Sequence, residues 1–171
     1  RGVGVNPLRG QNNVQGAADM GCQPHQGAGY FPVAEQKIQD FYTQKYGVIH
    51  PTKAGLKIPE MFDAAINNEL KGLWIIGEDI VQTDPNSNHV IQAMRALDLL
   101  VVQEIFMSET AKYADVVLPG TTFLEKDGTF TNTERRVQRV NKAAEPLPGT
   151  KPDGVIVTEM MQKLGYNQPM Y

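Results

Sequence analysis

Three short apolar runs, Leu73-Trp74-Ile75-Ile76, Leu100-Val101-Val102-Gln103 and Asp115-Val116-Val117-Leu118, constrain the fold more than anything else in the chain. Each is too short for a stable helix and has the apolar, branched character of a strand covered on both faces. Between the first two runs, Val90, Ile91, Met94, Leu97 and Leu100 recur at helical spacing. Between the second and third, Glu109 to Ala114 has room for one brief helix, with Ser108 as its N-cap. Strand, helix, strand, helix, strand with short joins predicts the α/β class: a Rossmann-like parallel sheet flanked by helices. The Leu73 run, apolar throughout, is expected at the centre of that sheet.

The flanks fit the same scheme. Ile38, Phe41, Tyr42 and Lys45 give Val33 to Tyr46 a helical period, and Gly47 is placed to end it. Ile58 to Leu70 repeats the pattern with Met61, Phe62, Ala65 and Ile66 on one face and Pro59 at the start. Phe130 to Val140 alternates and follows the turn signal Asp127-Gly128, so it is expected to be extended or a hairpin. Asp153 to Leu164 is expected to close the chain as a helix. Residues 1–32, rich in Gly, Asn, Gln and Pro, show no sustained period and predict a polar loop with a short helix after Gly10. A hydrophobic content of 41% in 171 residues suffices for one core. The expectation is a single domain: an active-site loop over 1–32 and an α/β body over 33–171.

Composition also excludes. A net charge of -3 creates no field that would draw nucleic acid or an anionic membrane. No run of about 18 apolar residues exists, so membrane insertion is not expected. Cys22 is the only cysteine; it cannot form an internal disulfide or hold an iron–sulfur cluster, which takes about four thiolates. A buried or loop thiol without a role fits it best, and a cytoplasmic location is expected. His25, His50 and His89 lack the spacing of metal ligands and are read as surface or capping residues, so no metal ligand is assigned. The chain opens on Arg1 with neither a charged nor an apolar leader segment, as an interior piece of a longer polypeptide would.

Candidate chemistry lies in two places. The run Asn6-Pro7-Leu8-Arg9-Gly10-Gln11-Asn12-Asn13-Val14-Gln15-Gly16 combines a cation, side-chain amides and glycines. Arg9 offers a planar fork that matches a carboxylate or phosphate, and the amides offer both donors and acceptors to a heterocyclic edge. A polar surface loop is the alternative. In an open parallel sheet, ligands bind beyond the carboxyl ends of the strands. Gly77-Glu78-Asp79, Gln103-Glu104 and Pro119-Gly120-Thr121-Thr122 follow the three runs and share that rim. Asp79 could accept hydrogen bonds from a ribose diol or a guanine edge, or cap the next helix.

Three motifs in one order, Asn6 to Gly16, Gly77-Glu78-Asp79 and Glu109 to Arg139 with Glu125-Lys126-Asp127-Gly128-Thr129-Phe130-Thr131-Asn132-Thr133-Glu134-Arg135-Arg136 within it, resemble the molybdopterin oxidoreductase family. The similarity is strongest to catalytic subunits of molybdenum- or tungsten-dependent formate dehydrogenases. It implies a domain that holds a molybdopterin guanine dinucleotide. By that resemblance Gly77, Asp79, Thr83, Gln103 and Gly120 would contact the nucleotide half, Asp153 would join the binding shell, and Gln11 would lie near the pterin and metal. Arg9 would be the catalytic residue, fixing formate beside the metal. The metal's own protein ligand and a 4Fe-4S cluster would belong to the parent chain outside this piece. Formate, the other domains of that chain and electron-transfer subunits are the implied partners. A sibling oxidoreductase acting on another small oxyanion, and a structural domain of an electron-transfer complex that has lost the cofactor, are the alternatives.

Overall fold

The computed structural model describes residue 4 and residues 10–166. In chain order its elements are α1 (Val14–Asp19), β1 (Gln26–Gly27), β2 (Phe31–Pro32), α2 (Gln36–Tyr46), α3 (Ile58–Ile66), β3 (Gly72–Ile76), α4 (Ile80–Thr83), α5 (Ser87–Ala96), β4 (Leu99–Glu104), β5 (Val116–Pro119), β6 (Gly128–Thr131), β7 (Val137–Val140) and α6 (Asp153–Lys163). They fall into two compact units, one of the described residues up to Lys57 with Gly128–Val140, the other of Ile58–Asp127 with the described residues from Asn141 onward.

The second unit carries the parallel sheet, in the order β3-β4-β5. Its register pairs Ile76 with Gln103 and Gln103 with Leu118, so the three strands end together. Leu100, Val102 and Ile75 face the helices, where they pack with Phe62 and Ala65 of α3 and Val90, Ala93 and Met94 of α5. Val90 and Ala93 are 0% exposed, which identifies α5 as the helix seated on the sheet. The α/β parallel sheet flanked by helices is therefore present. The Leu73 run, however, forms an edge strand, and β4 is central. An apolar run reports covered faces, whereas a strand's place in the sheet depends on its hydrogen-bonding neighbours, and the period is the same for both.

Helix boundaries move for local reasons. α3 stops at Ile66 because Asn68 takes a left-handed φ of 65°. The Asn68 N–H then donates to Ala65 O at 3.0 Å and the Glu69 N–H to Ala64 O at 2.8 Å. This is the Schellman closure, with asparagine in the glycine position. α5 ends at Ala96 because Leu97 is extended. The brief helix after Ser108 is a single 3-10 turn, Thr110–Tyr113, and the Ser108 hydroxyl accepts from the Ala111 N–H at 3.2 Å.

In the first unit, α1 forms after Gly10 as expected, and Phe130 to Val140 forms the β6–β7 hairpin. Asn13, itself left-handed at φ 57°, fastens α1 to this hairpin by accepting the Thr131 N–H at 3.0 Å. Beside it the Tyr30 hydroxyl donates to Asp19 at 2.8 Å, and Arg135 lies 5.3 Å over the Tyr30 ring. α2 begins at Gln36 rather than Val33 and closes at Gly47, whose N–H donates to Thr43 O.

Phe62 is among the largest fully buried side chains of the core. Phe62→Ala is expected to cost about 3–5 kcal/mol of stability, read as a lowered urea midpoint with an unchanged slope.

Candidate functional site

The rim at the carboxyl ends of β3, β4 and β5 gathers most of the expected site residues in the second unit. Gly77 turns away from β3 with a φ of 65°, and its N–H donates to Gln103 O at 2.9 Å. A left-handed residue here favours glycine. On the other side of β4, the Gly120 N–H donates to Glu104 O at 3.0 Å, and Gly120 extends the sheet by a parallel bridge to Lys151. Two residues past that bridge comes Asp153, the first residue of α6, where the helix dipole favours a carboxylate.

Gln103 and Asp153 meet directly. Gln103 points to the sheet face away from α5, is 1% exposed, and donates its amide N–H to Asp153 Oδ1 at 2.7 Å. Its amide oxygen is buried and has no hydrogen-bond partner among the described residues. The Thr121 hydroxyl, on a residue 3% exposed, is likewise buried without a partner among the described residues. Such atoms are costly unless something satisfies them. A side chain at Gly120 would place its Cβ 3.3 Å from Asp153 Oδ1, so glycine leaves that carboxylate room.

Asp79 is spent differently. It stands at the N-terminus of α4 yet makes no capping bond to that helix. Its Oδ1 accepts from the Thr110 N–H at 2.9 Å and the Thr110 hydroxyl at 2.6 Å, and its Oδ2 from the Glu109 N–H at 3.3 Å. Thr110, 0% exposed, passes the tie on by accepting the Val81 N–H at 3.1 Å. Partial burial pushes the Asp79 carboxyl up, but the donors of Thr110 and Glu109, with Gln82, outweigh it and hold the group below its ordinary value. Asp79 thus locks the loop after β3 to the segment after β4. Thr83 is exposed, and its hydroxyl donates to Glu78 at 2.7 Å.

Gln11 belongs to the first unit. There it lines a cleft of about 260 Å³ with Asn12, Asn13, Gln15, Asn132 and Gln138, so the amide-rich run and the hairpin converge on one hollow. A larger hollow of about 460 Å³ in the same unit, bordered by Tyr42, Tyr46 and His50, contains none of the expected site residues. Arg9 lies outside the described residues. Cys22 is an exposed thiol, and His89 faces Asp63 at 3.0 Å.

Thr121 lies in the rim segment expected from sequence, and Glu125 and Lys126 in the quoted motif, but neither they nor Thr110 is assigned a role there. Lys126 forms an ion pair with Asp153 Oδ2. Glu125 closes a capping box with Thr122, accepting its N–H at 2.8 Å and its hydroxyl at 2.9 Å. These donors hold the Glu125 carboxyl below the usual range. Thr122 and Glu125 do carry the capping-box spacing in sequence; nothing local marks Lys126 as Asp153's partner.

Among the described residues, no helix is long and apolar enough to cross a membrane, and no group of three His, Cys, Asp or Glu side chains could hold a metal. Residues 2–163 match the family model for molybdopterin oxidoreductase. The chain is 51% identical over 169 residues to the F420-dependent formate dehydrogenase subunit alpha of Methanocaldococcus jannaschii, covering 96% of this chain and 24% of that one. It is 48% identical over 166 residues to a putative formate dehydrogenase of Bacillus subtilis, covering 97% of this chain and 17% of the relative. It spans a quarter or less of these relatives. Among solved structures, acetylene hydratase from Pelobacter acetylenicus shares the fold with a TM-score of 0.60 at 23% identity, covering 78% of this chain and 19% of that one.

The Asp79 tie has a pH signature. A carboxyl lowered in the folded state contributes stability that is full above its ordinary value of 3.8 and is lost as pH falls through the depressed native value. Asp79→Asn is therefore expected to lower the urea midpoint at neutral pH, with the gap to wild type closing below about pH 4.

Proposed function

Because the chain belongs to the molybdopterin oxidoreductase family, we propose that its 171 residues serve as one cofactor-binding domain of a formate dehydrogenase catalytic subunit. The high identity to a formate dehydrogenase alpha subunit and to a putative formate dehydrogenase along almost the whole chain supports the formate reading. The rim supports the cofactor reading. The Asp153 carboxylate, 40% exposed and left room by Gly120, can accept from a ligand edge that brings N–H donors. A guanine nucleotide is such a ligand, and the molybdopterin guanine dinucleotide of the proposal carries one.

In this reading Gln103, Gly120 and Asp153 hold the nucleotide end. Gly77 and Thr83 border it, and Asp79 shapes the same rim through Thr110. The amide cleft around Gln11 would face the pterin end. When bound, the molybdenum or tungsten pterin would supply the redox centre that takes two electrons as formate becomes carbon dioxide and a proton. Arg9 would bind the formate carboxylate with its guanidinium fork and fix its orientation, which would remove rotational freedom before the C–H bond breaks. A 4Fe-4S cluster elsewhere in the parent chain, and electron-transfer subunits beyond it, carry the electrons away in the cytoplasm.

Arg9→Lys in the full-length parent keeps the charge but loses the fork. Formate-dependent dye reduction is expected to fall by about 10²-fold or more while metal content is unchanged. A metal-loaded wild type that does not oxidise formate would remove the formate reading.

A further inference from the structure

We propose that Tyr30, clamped between Asp19 and Arg135, is a positioning residue that fixes the Gln15 amide so that its oxygen is presented to the amide cleft. The inference rests on the reading that this cleft faces the pterin end, and adds to it Tyr30 and Asp19, which have no role there.

Gln15 lies on α1, is 9% exposed, and is one of the residues that line the 260 Å³ cleft. Its Nε2 donates to Asp19 Oδ1 at 2.9 Å and to the Tyr30 hydroxyl at 2.6 Å, and that hydroxyl donates to the same Oδ1 at 2.8 Å. This ring of three bonds has one sense only. A carboxylate accepts and cannot donate, so Gln15 and Tyr30 must turn N–H and O–H toward it. The hydrogen bonds from Gln15 and Tyr30, with the charge of Arg135 behind them, outweigh desolvation and hold the Asp19 carboxyl below its ordinary value. It is therefore ionised at neutral pH, and the amide is not free to flip. Both amide hydrogens are engaged, which leaves Gln15 Oε1 as the end without a partner among the described residues. Unlike Gln103 Oε1, it is not wholly buried.

The backbone argues that the tyrosine is there for more than the turn. Tyr30 has a φ of 65°, a left-handed conformation in which a bulky side chain is strained and glycine is not. A chain that needed only the turn would carry glycine at 30. Tyrosine instead supplies the hydroxyl that closes the ring of bonds and a face for Arg135, whose guanidinium lies 5.3 Å over it. Arg135 is itself left-handed at φ 62°, and Asn13, left-handed at φ 57°, ties the start of α1 to the hairpin through the Thr131 N–H. Three strained residues from three separate stretches thus hold one short helix against its neighbours. Such residues persist where the surroundings over-determine them, and they gather at functional sites.

The test uses the purified full-length parent and reads the midpoint potential of its metal centre by redox titration, beside metal content, pterin content and urea unfolding. An acceptor oxygen next to pterin N–H groups raises electron density on the ring, so its loss is expected to raise the potential. Tyr30→Phe keeps the ring under Arg135 and removes only the hydroxyl. It is expected to raise the potential with metal and pterin content unchanged, in the same sense as Gln15→Met. Tyr30→Phe added to Gln15→Met is expected to give no further rise. A tyrosine that only packs would lower the urea midpoint and leave the potential where it was. If Tyr30→Phe does not fold, Asp19→Asn, which lets the amide turn over, carries the test with the same expected rise. An unmoved potential in Tyr30→Phe or in Gln15→Met, or two shifts that add in full, would overturn this inference and leave the cofactor reading standing. Wild type holding no pterin under conditions that load its metal would overturn both.

Discussion

Everything at the rim hangs on the carboxyl end of β4. The carbonyl of Gln103 takes the Gly77 N–H and the carbonyl of Glu104 takes the Gly120 N–H, so two consecutive residues of the central strand set where both neighbouring loops leave the sheet. The Gln103 side chain meanwhile reaches Asp153 at the start of α6. One dipeptide therefore places three loops, and the chemistry available to the second unit follows from that placement.

Carboxylates do the rest, each with a separate task. Asp79 fastens the segment after β3 to the one after β4 through a wholly buried threonine. Glu125 freezes the turn after β5. Asp153 alone keeps lone pairs on a partly open side, between an amide and an ammonium. The family resemblance treats Asp79 and Asp153 alike, as acidic residues of one binding shell. Their surroundings separate them: a carboxylate taking three protein donors has little left for a ligand, whereas one with two donors and a glycine neighbour retains capacity.

The sheet, its helices and the grouping of the rim segments were legible because each rests on local periodicity and on the rule that loops after parallel strands share one edge. The placing of β3 was not, since a run such as Leu73 to Ile76 looks the same at an edge or a centre. Nor was the early end of α3, which depends on Asn68 adopting a glycine-like backbone, or the pairing of Lys126 with Asp153 across 27 positions. The amide-rich run was legible as a polar surface. Its companionship with Asn132 and Gln138 of the hairpin was not, because nothing local in either stretch names a partner more than a hundred residues away.

That companionship has a price in evolutionary freedom. Asn13 reaches Thr131 only by passing over Gly16, where any added Cβ would lie 2.2 Å from the Asn13 side-chain oxygen. A lineage that exchanged this glycine would have to give up the asparagine's reach, and with it the fastening of a hairpin encoded far downstream. Positions 13 and 16 thus form one heritable unit whose members drift together, while position 131 lends this contact only its main-chain N–H and is barred by it from nothing but proline.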